Sequence, residues 1–314
     1  MELVRSSIGV VFPLFVMMAI GMIVKRIGLV TDEGLSEMNR INVRLFLPAM
    51  LFANICDGDL LQGANRTFML FAAVSATIIF LLCILIIPRV VKDKKRSQSI
   101  ILGIYRPNTA IYGLPLAQSI LGDSNRVSNV LMMISVSILV TNFFAVLALE
   151  IFRGDKPNLL KSIARSFSNP IIIGLVLGMI AQFLPFTIPP MVLSPIRSIA
   201  AITTPLAFIC LGADFTFKAK KSNRVAVLLS TLFKLVVTPL VITPIAVFLL
   251  GLREESLVAI LCAFATPTAV SVLPLIKEAG ADDELMGSII VSTTAFSLIS
   301  IFLIVYCLKG MALF

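Results

Sequence analysis

Apolar runs of about 18 or more residues follow one another along almost the whole chain, and the charges gather in the short gaps between them. A helix that crosses a bilayer needs about 20 such residues. Hydrocarbon offers no partner to a backbone amide or carbonyl, so runs of this kind must fold as helices that satisfy their own backbone. Composition agrees. The chain is 58 % hydrophobic and 14 % charged, with a mean hydropathy of +1.03. Soluble domains have roughly 45–50 % apolar and about 25 % charged residues. The longest polar stretch, roughly residues 152–168, is too short for a separate soluble domain.

Ten membrane spans are read from the pattern: 8–24, 41–56, 67–88, 99–121, 128–151, 170–187, 194–213, 225–250, 255–276 and 285–308. The first is too long for a typical signal-peptide core and is followed by Lys25-Arg26 with no small-residue cleavage pattern, so it is kept as a helix. Lysines and arginines alternate between the gaps. The odd-numbered gaps hold 18 and the other side 6, leaving Arg106 and Lys234 inside spans. A missed span would scramble that alternation. The positive-inside rule then makes the odd gaps cytoplasmic and puts both termini outside. The net charge of +9 is explained by these loops rather than by nucleic acid.

Several chemistries are excluded. There is no histidine, which removes histidine metal ligands, proton relays and Ser-His or Cys-His catalysis. The five cysteines, Cys56, Cys83, Cys210, Cys262 and Cys307, are far apart and mostly within apolar runs, and they read as small buried hydrophobes. No metal, cofactor or enzymatic activity is expected.

The two halves resemble each other. A shift of 157 residues places Pro13 on Pro170, Gly21-Met22-Ile23 on Gly178-Met179-Ile180, Pro48 on Pro205 and Asp57 on Asp214. A shift of 159 places Thr109-Ala110 and Leu114-Pro115 on Thr268-Ala269 and Leu273-Pro274. Two repeats of five spans each (1–151 and 170–314, joined by a cytoplasmic connector 152–169) would lie inverted to one another, because five is odd. Inverted repeats with interrupted helices recur in secondary transporters.

Pro107 and Pro267 sit near the middle of spans four and nine. Proline removes a backbone donor and clashes with the preceding turn. A simple kink is one reading. The other is a true break in each helix, tolerated only where it is packed in protein or lines a wet cavity, with Asn108, Thr109, Thr266 and Thr268 capping the broken ends. The amide ends of the second halves would then face the centre and suit an anion. Arg106 and Lys234 agree with this, lying ~12 and ~15 Å into their spans at 1.5 Å per residue. Intramembrane cations usually face an interior cavity. The plainer alternatives are pairing of Lys234 with carbonyls beside Pro239, and snorkelling or a structural ion pair for Arg106. No acidic residue lies near the centre of any span, which argues for an organic anion as cargo and against a cation.

The motif Pro107-Asn108-Thr109 with Gly113-Leu114-Pro115-Leu116 resembles the first crossover of the auxin efflux carrier family, which includes the plant PIN-FORMED carriers and bacterial proteins often labelled malonate or malate permeases. Leu45-Phe46-Leu47-Pro48-Ala49-Met50-Leu51-Phe52, Lys234-Leu235-Val236-Val237-Thr238-Pro239 and Ala265-Thr266-Pro267-Thr268-Ala269 resemble its second helix, eighth helix and second crossover. The resemblance implies an all-α, ten-helix inverted repeat of the PIN-like, bile-acid-symporter-like fold, with crossover helices 4 and 9. It also implies a scaffold of helices 1, 2, 6 and 7, a transport domain of helices 3–5 and 8–10, and a homodimer formed through the scaffold. It assigns a carboxylate contact to Asn108. Departures are the missing large cytoplasmic loop, a third span without charge, and Arg106, which the plant motif does not require.

The sequence therefore predicts a secondary transporter of a small organic anion, a mono- or dicarboxylate, in a bacterial inner membrane, working by elevator-type alternating access. A membrane sensor of the same fold that binds without transport is the alternative. The candidate substrate residues are Arg106, Pro107, Asn108, Thr109, Tyr112, Lys234, Thr266, Pro267 and Thr268.

Overall fold

The computed structural model describes residues 2–56, 65–122, 124–152, 170–183, 188–213 and 224–313. Asp57, Asp214 and the connector beyond residue 152 lie outside the described residues. The elements are α1 (Glu2–Arg26), α2 (Asp32–Ile41), α3 (Leu47–Cys56), α4 (Arg66–Val90), α5 (Lys94–Tyr105) and α6 (Thr109–Leu121). Then come α7 (Ser124–Phe152), α8 (Pro170–Gln182) and α9 (Pro190–Ala213), followed by α10 (Arg224–Leu249). The last are α11 (Glu254–Ile260), extended by a wide π turn over Leu261–Ala265, then α12 (Val272–Glu278) and α13 (Asp283–Gly310). No strand is present among the described residues.

Among the described residues, five helical stretches are long and apolar enough to cross a membrane: Arg66–Val90, Asn125–Leu149, Pro190–Ala213, Arg224–Leu249 and Asp283–Gly310. Their outward faces carry large apolar side chains such as Leu70, Leu85, Leu228, Leu240, Ile299 and Leu303, the pattern of helices solvated by lipid. Together they make this an integral membrane protein. Polar caps set several ends. Asn65 accepts from the Phe68 amide at 3.1 Å, Asp93 from Lys95 at 2.9 Å and Asp282 from Leu285 at 2.9 Å, each satisfying an amide that the helix itself cannot.

One element departs from the sequence reading. The gap after the first span contains α2, capped by Thr31 (3.1 Å to the Gly34 amide) and tied to α1 by the ion pair between Lys25 and Asp32. It is polar on one side and buries Leu35, so a hydropathy criterion passes over it. A wide turn at Asn42–Phe46 joins it to α3 without interruption.

Several helix contacts are related by the 157-residue shift. Gly21 of α1 lies against the Ile209 carbonyl of α9, and Gly178 of α8 lies against Phe52 and Ile55 of α3. The 157-residue shift carries the first contact, Gly21–Ile209, onto the second, Gly178–Phe52. At both places a Cβ would meet the neighbouring helix, so glycine is what lets the helices approach. The larger scheme is exchanged in the same way: α1 packs on α9 and α8 on α3, α4 on α7 and α10 on α13, α5 on α13 and α11 on α7.

Candidate functional site

Prolines within helices do not by themselves break this chain. Pro13, Pro88, Pro195 and Pro205 all lie inside continuous helices. At Pro107 and Pro267 the outcome differs. α5 ends at Tyr105 with Arg106 in an extended conformation, and the π turn ends at Ala265 with Thr266 extended. The two breaks meet. Pro107 and Thr268 form an antiparallel bridge, in which the Asn108 amide donates to the Pro267 carbonyl at 2.8 Å and the Ala269 amide to the Arg106 carbonyl at 3.0 Å. Each break thus satisfies backbone groups that the other exposes, which hydrocarbon could not do. Side chains lock the junction. The Thr268 hydroxyl donates to the Gly103 carbonyl at 2.6 Å, the Thr268 amide to Thr293 Oγ1 at 3.2 Å, and the Cys262 thiol to the Gly113 carbonyl at 3.0 Å.

The capping expected of the four polar residues is not what the structure shows. Asn108 occupies the cap position of α6 but makes no side-chain cap bond. Thr266 donates back to the Cys262 carbonyl at 3.0 Å, and Thr268 reaches the last turn of α5. Both hydroxyls therefore serve carbonyls at the ends of the first halves, not amides at the starts of the second. The physical reason is that the bridge between the breaks already engages amides there, whereas the terminal carbonyls still need donors.

A small cleft opens beside the junction. It is about 30 Å³ and is lined by Arg106, Pro107, Asn108, Thr109, Ala110 and Ile111 of the first break, Ala269 and Ser271 of the second, Ile138, Thr141 and Asn142 of α7, and Leu47 of α3. That space suits two or three waters rather than an organic acid, given roughly 10–15 Å³ for each water. Three side-chain groups of its wall, Arg106 Nε, Asn108 Nδ2 and Thr109 Oγ1, are buried with no hydrogen-bond partner among the described residues. Arg106 is 5 % exposed, Asn108 3 % and Thr109 3 %. Among the described side chains no aspartate or glutamate is buried, and the ion pairs described do not include Arg106 or Lys234. A buried, unpaired donor costs about 1–3 kcal/mol, and more when charged. Three around one cleft form an arrangement that an anion would relieve.

Of the sequence candidates, Arg106, Pro107, Asn108 and Thr109 come together in the cleft wall. Thr266, Pro267 and Thr268 build the junction behind it. Tyr112 points elsewhere: its hydroxyl accepts from Ser297 Oγ at 3.1 Å, and its ring lies 5.4 Å from that of Phe208. Lys234 is buried at 2 % exposure, does not line the cleft, and lies within electrostatic range of Cys83 and Arg106. Thr141 and Asn142 escaped the sequence reading. Their signal was a pair of adjacent polar residues inside an apolar span.

A family model described as membrane transport protein matches residues 6–305. The chain belongs to the membrane transport protein family. This is the auxin efflux carrier family that the crossover motifs resemble. Two relatives are similar to this membrane transport protein over nearly their full lengths. An uncharacterized transporter of Methanothermobacter thermautotrophicus is 22 % identical over 303 residues, covering 94 % of this chain and 96 % of its own. An uncharacterized transporter of Methanocaldococcus jannaschii is also 22 % identical over 303 residues, covering 93 % and 96 %.

Proposed function

We propose that this membrane transport protein is a secondary transporter of a small organic anion, and that the anion's carboxylate is held by Arg106, Asn108 and Thr109. The observation that carries this reading is the set of unpartnered, buried donors around one cleft, with no buried carboxylate beside them among the described side chains. Lys234, buried within electrostatic range of Arg106, adds positive potential. In low dielectric such a cation acts over several ångströms with little screening.

The fold supports an alternating-access route. In this reading ten spans form two inverted repeats, 1–151 and 170–314, joined by the 152–169 connector, with both termini outside a bacterial inner membrane. α1, α2–α3, α8 and α9 make the scaffold, through which a homodimer forms, and α4–α7 with α10–α13 make the moving body. The cleft then lies on the boundary, since Leu47 belongs to the scaffold and the other wall residues to the moving body. Sliding of that body past the scaffold would carry the anion across and widen the cleft for entry.

The test is Asn108→Ala reconstituted in liposomes. Wild-type protein is expected to move a carboxylate identified by a thermal-shift screen of organic acids across pH, with and without sodium, because a ligand that binds only the folded state raises its apparent stability. Asn108→Ala is expected to lose both the carboxylate-dependent shift and the flux. Unchanged flux would overturn the assignment. Binding without flux in the wild type would favour a sensor of the same fold.

A further inference from the structure

The walls of the cleft differ in hydrogen-bond character. The first break presents donors: the Arg106 guanidinium, the Asn108 amide nitrogen and the Thr109 hydroxyl. The facing helix α7 brings no cation to the wall and offers acceptor oxygens. Asn142 commits one amide N–H to the Ile138 carbonyl at 2.7 Å, and Thr141 commits its hydroxyl proton to the Ser137 carbonyl at 2.7 Å. Thr141 keeps no donor for the cleft, and Asn142 keeps one of its two N–H groups. Besides that N–H, Asn142 offers its carbonyl oxygen, and what Thr141 has left are oxygen lone pairs; both oxygens are acceptors. Among the described residues the wall holds a single cation, Arg106, because Lys234 is not part of it.

We propose, resting on the anion-carrier reading above, that Asn142 with Thr141 determines specificity, and that the cargo is a monoanion bearing its own hydrogen-bond donor, such as a hydroxy acid. The carboxylate answers the donors of the break, and the hydroxyl answers the acceptors of α7. A dicarboxylate would bring its second negative charge beside the Thr141 and Asn142 oxygens, with one neutral N–H to receive it and, among the described residues, no second cation in the wall. A plain carboxylic acid would leave the Asn142 oxygen without a partner on cargo binding, a loss that sites built for a hydroxyl convert into rejection.

The experiment compares apparent dissociation constants from thermal shifts of the full-length protein. Two matched pairs serve as probes, lactate with propionate and 3-phenyllactate with 3-phenylpropionate, and malonate serves as the dianion. In the wild type the hydroxy acid of at least one pair is expected to bind about fivefold or more tightly than its partner, with malonate weaker than either. Asn142→Leu is expected to collapse that ratio toward one. Thr141→Val, which removes the other acceptor, lowers it and covers the case in which the Asn142 variant does not fold. Equal binding within both pairs, tighter binding of malonate, or an undiminished ratio in the folded variants would overturn the inference while leaving the anion reading standing. No shift with any of the five acids would overturn both.

Discussion

The two proline breaks look alike in sequence and differ in what their polar side chains do. At the second break, Thr266 and Thr268 each donate to a backbone carbonyl, and both are fully buried. At the first, Thr109 and Asn108 each have a side-chain group without a partner, as does Arg106 beside them. Thr109 and Thr268 are matched by the 159-residue shift, yet one hydroxyl faces the cleft and the other ties the two breaks together. The two matched motifs thus differ: the second holds the junction, and the first keeps unpartnered groups in the cleft wall, where the proposed function places the ligand. Satisfied polar groups fix a structure, and unsatisfied ones mark where something else must complete it.

That division ranks the effects of substitution. The largest belongs to Arg106. Arg106→Met removes a charged donor worth about 1.5–3 kcal/mol to a bound anion, so affinity for the carboxylate found in the screen is expected to fall by roughly ten- to a hundredfold. The same variant is expected to melt at or above the wild-type temperature without ligand, because a buried charge lacking a carboxylate partner is replaced by an apolar chain of similar length. Both quantities are read from one titrated melting series. A variant that melts well below wild type would mean that Arg106 supports the junction, and the contrast between the breaks would weaken. A smaller effect is expected for Thr266→Val. Its bond is local, four residues back along its own helix, and its loss should lower stability by about 1 kcal/mol with carboxylate affinity unaltered. A clear loss of affinity would give the second break a share in binding.

Much of this was legible in the residues. Apolar length located the five membrane-length helices found among the described residues, and the paired prolines located both breaks, because these follow from hydrocarbon's intolerance of unpaired backbone. The 157-residue shift pairs Gly21 with Gly178, and both glycines lie where a Cβ would meet a neighbouring helix. Three things were not legible. α2 is short and half polar, so nothing in its hydropathy separates it from a loop. The fates of the four break residues depend on which carbonyls lie within reach across the junction, and no local pattern encodes that. Thr141 and Asn142 read as ordinary polar residues bonding back to their own helix, which they do; only the fold shows that their remaining oxygens border the cleft. Tyr112 illustrates the converse, a residue near the motif whose hydroxyl is committed to α13 through Ser297.

The matched hydroxyls offer the most direct test of the central claim. Melting temperatures of Thr109→Val and Thr268→Val are to be measured with and without a saturating carboxylate from the screen. Thr109→Val is expected to melt at or above the wild-type temperature without ligand and to lose much of the ligand-dependent rise. Thr268→Val leaves the buried Gly103 carbonyl unpaired, so it is expected to lose about 1–3 kcal/mol of stability and to keep the full ligand-dependent rise. The reverse pattern, or the same pattern in both variants, would contradict the division of labour between the two breaks.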